Sequence, residues 1–161
     1  MTNTYWAVYK SLERELIRLS EHIHIDDTQL GVYSLKILEL LLRCAVEIES
    51  ISKELYKNLG GISPIDRDLF FDTDCLALLE SKWELSQKVV IASYINFHFE
   101  KDENKILKPL HNAHIRGKAD WKKAYQAVKH DRANSLQKAN LKHLIRAMAA
   151  LFVLNLYRSE E

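Results

Sequence analysis

Near the start of the chain Val8, Leu12, Leu16, Leu19 and Ile23 recur at spacings of four and three, with charged residues on the intervening faces. This pattern predicts an amphipathic helix from Thr4 to about Ile23. A second run, Leu35, Leu38, Leu42, Ala45, Ile48, Ile51, Leu55 and Leu59, predicts a long helix. The cap-forming residues of "IDDTQLG" precede it, and Gly60–Gly61 with Ser63–Pro64 stops it. "TDCLALLESKWELSQ" gives a third helix carrying Leu76, Leu79 and Trp83 behind a cap at Asp72 or Thr73. A fourth opens at an Asp120 cap and runs to about His130. A fifth closes the chain with the stripe Leu136, Leu144, Ala147, Leu151 and Leu154.

The period changes between the third and fourth helices. "KVVIASYINFHFE" is dense in β-branched and aromatic residues, and Ile95, Phe97 and Phe99 alternate with Asn96, His98 and Glu100. It reads as a strand, with "KDENK" as the turn and "ILKPL" as a short return strand whose Pro109 suits an edge or end. The expected fold is all-α, an antiparallel bundle of about five helices with a β-hairpin insertion near 88–110. No repeat or linker divides residues 1–161, so a single domain is expected.

With 161 residues and 47% hydrophobic content, the chain suits one compact core. Cys44 and Cys75 sit in apolar periodic segments without metal-ligand spacing, so they read as buried thiols of a reducing, cytoplasmic compartment. The N-terminus lacks a signal-peptide pattern, and the longest apolar run, 147–154, is far below the roughly 18 residues that span a bilayer. Residues 101–146 hold twelve Lys or Arg against four acids, a net of +8, while the remainder carries −7. Four of the seven histidines fall in the same basic segment, which makes it the place to look for an anionic partner.

Several chemistries lack their residues. His22, His24, Asp26 and Asp27 cluster, and His111 and His114 lie three apart, but neither group supplies a four-ligand set. A di-metal carboxylate bundle needs paired Glu-x-x-His motifs, and only Glu21 with His24 has that spacing. There is no Gly-x-Ser-x-Gly elbow, and four glycines leave no phosphate-cradling loop. No metal and no cofactor are expected.

One stretch stands apart. "WKKAYQAVKHDR", Trp121 to Arg132, packs two aromatics, four Lys or Arg and a His into one helix and its end. Trp121, Tyr125, Lys129 and Arg132 share a stripe at helical spacing. Trp121 and Tyr125 fit a core, whereas Lys129, His130, Asp131 and Arg132 belong at a surface or in a paired network. Two readings stand side by side. In one, Asp131 caps the following helix and His130 and Arg132 brace it. In the other, Lys129 and Arg132 hold a phosphodiester and His130 moves a proton.

This stretch, followed by "ANLKHLIRAMAALFVL" and preceded by a long helix ending in "EIESISKELYK", resembles the HEPN superfamily of small all-α domains. Many of these belong to toxin–antitoxin, abortive-infection and other bacterial defence systems. The resemblance covers roughly Tyr33 to Asn58 and Trp121 to Tyr157, and leaves out the strand-like insertion. It implies a homodimer with facing polar pockets and, in active members, metal-independent RNA cleavage by an Arg and a His. The family motif places Arg ahead of His with four to six residues between them. Here Lys123 stands at the far limit before His130, Ala124 and Tyr125 at the nearer positions, and Arg132 follows His130 instead. The only formal Arg-x5-His, Arg18 to His24, lies in another helix.

The expected site therefore has His130 and Arg132 as catalytic residues and Lys122, Lys123 and Lys129 as RNA or phosphate contacts. Asp131, Tyr125, Trp121, Glu49 and Lys53 are supporting residues. Glu49 and Lys53 form either a surface i,i+4 pair or a polar position facing the site. The expected function is RNA or nucleotide-phosphate binding with endoribonuclease activity, without a membrane. The alternative is a non-catalytic dimeric interaction or regulatory module acting on a protein partner or antitoxin. A homodimer is also expected because 147–154 is broader than one buried stripe requires.

Overall fold

A computed structural model describes residues 3–159 of the chain. Helix α1 spans Thr4–Leu19, opened by Asn3, whose side chain accepts from the Trp6 amide at 3.1 Å. It stops short of Ile23 because the amides of Ser20, Glu21 and His22 tighten onto carbonyls three residues back, those of Ile17, Arg18 and Leu19. Strand β1, Ile25–Asp26, follows. Helix α2, Leu35–Asn58, is capped by Ser34, whose hydroxyl accepts from the Ile37 amide at 3.1 Å. Asp26, part of the stretch expected to cap it, accepts from the amide and hydroxyl of Thr28 instead.

The end of α2 follows its sequence. Gly60 takes φ +87°, and the amides of Gly60 and Gly61 reach the carbonyls of Lys57 and Tyr56 at 3.0 and 2.9 Å. This is a Schellman closure, in which a left-handed residue lets two amides satisfy the last carbonyls. A methyl group on Gly61 would meet the Tyr56 ring at 2.5 Å, so that glycine is held by a close approach as well.

Further along, a π-helical turn, Phe71–Leu76, feeds α3, Ala77–Trp83. Left-handed Glu84, φ 51°, ends α3 before the expected Gln87. The insertion departs most from expectation. Strand β2, Val90–Ile91, pairs antiparallel with β4, Ile106–Leu107, so a remnant of the hairpin exists. The alternating stretch 95–100 contributes only β3, Phe97–His98, which pairs parallel with β1 across the chain. "KDENK" is no hairpin turn but carries α4, Asp102–Lys105. Asp27 explains this: its carboxylate accepts from the amides of Glu100 and Lys101 and from Asn104 Nδ2 at 2.7–3.2 Å. A remote carboxylate that gathers these donors winds the segment up.

Helix α5 spans Asp120–His130, the expected bounds, but Ala119 rather than Asp120 holds the cap position and no side chain caps it. The anticipated fifth helix is broken into α6, Arg132–Ser135, a 3-10 turn at Leu136–Lys138, and α7, Leu141–Ser159. Asn140 restarts it: its side chain accepts from the His143 amide, while the amides of Leu141 and Lys142 donate to the carbonyls of Val32 and Leu30.

The described chain is mostly helical, and its core is built where α2 and α7 pack, with α1 and α5 against them. These two helices run parallel. Tyr33 bridges Asn140 at their starts, and Glu54 pairs with Arg158 near their ends. Helix α1 is antiparallel to α2, since Tyr5 bonds Ser50 at 2.8 Å and Lys36 pairs with Glu15 at 3.3 Å. The expectation of an antiparallel bundle is therefore corrected for its central pair, which a long crossover makes parallel. All of 147–154 except Phe152 is buried inside one chain, which removes the apolar-excess argument for a dimer. Among the described residues no helix is long and apolar enough to cross a membrane.

Candidate functional site

The aromatic and basic stretch divides along α5. At its beginning Trp121 is buried and its indole N–H donates to the Pro109 carbonyl at 2.7 Å. Lys122 is the main correction. It is 0% exposed, and its ammonium donates to Asp72 Oδ2 at 2.9 Å and to the carbonyls of Ala113 and Ile115 at 2.8 and 2.9 Å. Its three protons have three acceptors, so Lys122 cannot be the phosphate contact expected of it. It ties α5 to the π-helical turn and to the loop before the helix. Lys123, one residue on, is exposed.

Tyr125 sits mid-helix and is buried, with the Glu49 carboxylate of α2 as its neighbouring charge. Burial, then the neighbouring Glu49 carboxylate, holds the phenol well above its usual range. The Lys129 ammonium lies 5.5 Å from the centre of the Tyr125 ring. Glu49 and Lys53 are both half-buried on α2, and Glu49 serves Tyr125. Tyr125, Glu49 and Lys129 thus form one polar seam between α2 and α5.

At the far end Lys129, His130, Asp131 and Arg132 are all exposed. The Asp131 amide closes α5 on the Ala127 carbonyl at 2.8 Å. Its carboxylate accepts from Asn134 Nδ2 at 3.0 and 3.2 Å and caps no helix amide. The capping reading of Asp131 is therefore not the arrangement found. His130 and Arg132 stand on either side of the break between α5 and α6, with solvent access and without a buried partner. Comparison with protein-family profiles, curated proteins and solved structures finds no match for this chain.

Of the twelve cations in 101–146, Lys122 alone is buried. Part of the remainder gathers at the opposite end of α5, around an open cleft of about 700 Å³. Lys108, His111, Lys118 and Arg146 line it, facing Glu103 and Asp120. Arg146 donates to Asp120 Oδ2 at 2.7 Å and to the Glu103 carbonyl at 3.4 Å. Two non-glycine residues with positive φ, Asn112 at 56° and Ala119 at 70°, also border it. Sequence reasoning counted these cations in the basic segment but missed that they converge. Their spacing has no helical or motif period, because one loop and a distant helix, α7, supply them.

Among the described residues no group of three or more His, Cys, Asp or Glu is placed to hold a metal ion. His24 instead stacks on His98 with ring centres 4.5 Å apart.

Proposed function

We propose that this chain is an RNA- or nucleotide-phosphate-binding domain of HEPN-like character, working in a bacterial defence or toxin–antitoxin setting. The observation that carries the reading is the surface display of the basic segment: eleven of its twelve cations are at least partly exposed, and His130 and Arg132 are both exposed on either side of the α5–α6 break. The free thiols of Cys44 and Cys75 fit a reducing, cytoplasmic compartment.

The chemistry is metal-independent cleavage. His130 takes the proton of a ribose 2′-hydroxyl, whose oxygen attacks the adjacent phosphorus. The bond to the 5′-oxygen breaks, that oxygen takes a proton from solvent, and a 2′,3′-cyclic phosphate remains. Arg132, helped by Lys129 and Lys123, stabilises the charge that builds on the phosphate. RNA binding should weaken as salt rises, with a log–log slope of about −0.7 per phosphate contacted on a single strand. Cleavage should persist in EDTA and fall by about 10² in His130→Ala with an unchanged melting temperature. No RNA affinity at low salt would remove the reading.

A second reading, a non-catalytic dimeric module that holds a protein partner or antitoxin, is favoured by a different surface. Ile91, Tyr94, Ile95 and Ile106 are exposed together on the insertion, Ile95 to 83%, beside an apolar groove walled by α1 and α7. Light scattering separates the two arrangements, because a concentration-independent mass near 18.8 kDa would count against the dimer.

A further inference from the structure

The cleft at the start of α5 has its own chemistry. Asp120 and His130 are ten residues apart on one helix, so the cleft and the His130 edge are separated by about 15 Å at 1.5 Å per residue. Its cations come from three directions. Lys108 and Lys118 stand near the two ends of the loop between β4 and α5, and Arg146 rises from α7. Arg146 is already oriented by Asp120 and by the Glu103 carbonyl, so little freedom is lost when it meets a ligand. Ile106, Leu107 and Pro109 add an apolar wall.

From this geometry we infer that the cleft binds a phosphate monoester, the terminal phosphate of a larger molecule. A monoester presents three terminal oxygens and close to two charges, and donors from the two ends of this loop and from α7 can meet it at once. A backbone phosphodiester offers one charge and only two unesterified oxygens, so it engages fewer of these donors. Asp120 and Glu103 face the cations and fit the hydroxyl donors of an attached sugar, while the apolar wall takes its uncharged face. The partner bearing the phosphate is either a 5′-phosphorylated RNA end, which rests on the RNA reading above, or a free sugar phosphate, which does not.

Titration of the full chain with four probes tests the site: ribose 5-phosphate, ribose, and one oligoribonucleotide carrying either a 5′-phosphate or a 5′-hydroxyl. Ribose 5-phosphate should bind and ribose should not. Lys118→Ala and Lys108→Ala should each weaken binding by about tenfold, as loss of one charge-assisted hydrogen bond does. Both lysines are exposed, so melting should be unchanged. His130→Ala should leave ribose 5-phosphate binding intact. Preference for the 5′-phosphorylated oligonucleotide, without binding of ribose 5-phosphate, assigns the site to RNA ends. Equal binding of both oligonucleotides together with silence toward ribose 5-phosphate would overturn the inference. Binding of ribose 5-phosphate with no affinity for either oligonucleotide keeps the cleft and removes the RNA reading alone.

Discussion

Lys122 and Lys123 are neighbours with the same side chain, yet one is wholly buried among three oxygen acceptors and the other stands in solvent. The two ends of α5 repeat the contrast. Its first turns carry packed Trp121 and paired Lys122, and its last turn carries exposed Lys129 and His130. A basic residue therefore has no fixed meaning on this helix. What decides is whether another element brings an oxygen to it. Asp72, fifty residues away, does so for Lys122, and nothing comparable reaches Lys123.

The largest expected effect tests that contrast directly. Lys122→Ala leaves Asp72, only 8% exposed, without its cation and should cost about 3–5 kcal/mol in chemical denaturation. Lys123→Ala should change stability by less than about 0.5 kcal/mol. Equal losses would break the distinction. Replacing Lys122 and Asp72 together by apolar residues of similar volume should recover most of the loss, because such pairs gain little over well-packed hydrophobic groups.

The same contrast explains what could be read from the sequence. The helices α1, α2 and α5 and the Gly60–Gly61 stop were legible because hydrophobic period and a glycine stop are local. The wound-up "KDENK" segment was not, since Asp27 shapes it from more than seventy residues away. The break before α7 was hidden for a similar reason, as its first amides are taken by carbonyls at Leu30 and Val32. Trp121 and Tyr125 were recognisable as core by their spacing. Lys122 was misread because its acceptors, Asp72, Ala113 and Ile115, follow no local pattern. The convergence of Lys108, Lys118 and Arg146 escaped notice because it depends on tertiary folding alone.

Mid-helix, the Tyr125–Glu49 contact should be weaker than the Lys122 lock. Tyr125→Phe removes a buried hydroxyl beside the half-buried Glu49 carboxylate and should cost about 1–2 kcal/mol. The phenol is held above its ordinary value in the folded chain, so its stabilisation is full below about pH 10, where the unfolded chain would begin to ionise. It is lost as pH rises further. Melting of wild type against Tyr125→Phe should therefore converge above pH 10, and a constant difference would contradict the assignment.

A second ion pair on the same π-helical turn is the exposed counterpart of Lys122–Asp72. Arg67 meets Asp74 with two bonds, at 2.7 and 2.8 Å, and the Phe70 amide adds a third at 2.9 Å. The guanidinium, then the amide, hold the Asp74 carboxyl down to about 2. Its depressed value means that the contribution is present above the unfolded carboxylate range and lost as pH falls from about 4 towards 2. Since the pair is solvated, Asp74→Asn should cost no more than about 1 kcal/mol at neutral pH. The difference from wild type should vanish near pH 2 in acid melts.

The smallest effect is expected at the solvent end of α5. A capping Asp131 would make Asp131→Ala cost about 1–2 kcal/mol, because helix amides would lose their acceptor. In the structure the carboxylate is exposed and holds only the Asn134 side chain, while the turn is closed by the Asp131 main-chain amide, which alanine retains. Asp131→Ala should therefore shift stability by less than about 0.5 kcal/mol. It also removes a negative charge between His130 and Arg132, so RNA should bind slightly more tightly at low salt, with the gain fading as salt rises. A large loss of stability would show that Asp131 braces the α5–α6 break after all, and would move His130 and Arg132 from an accessible phosphate edge into a structural turn.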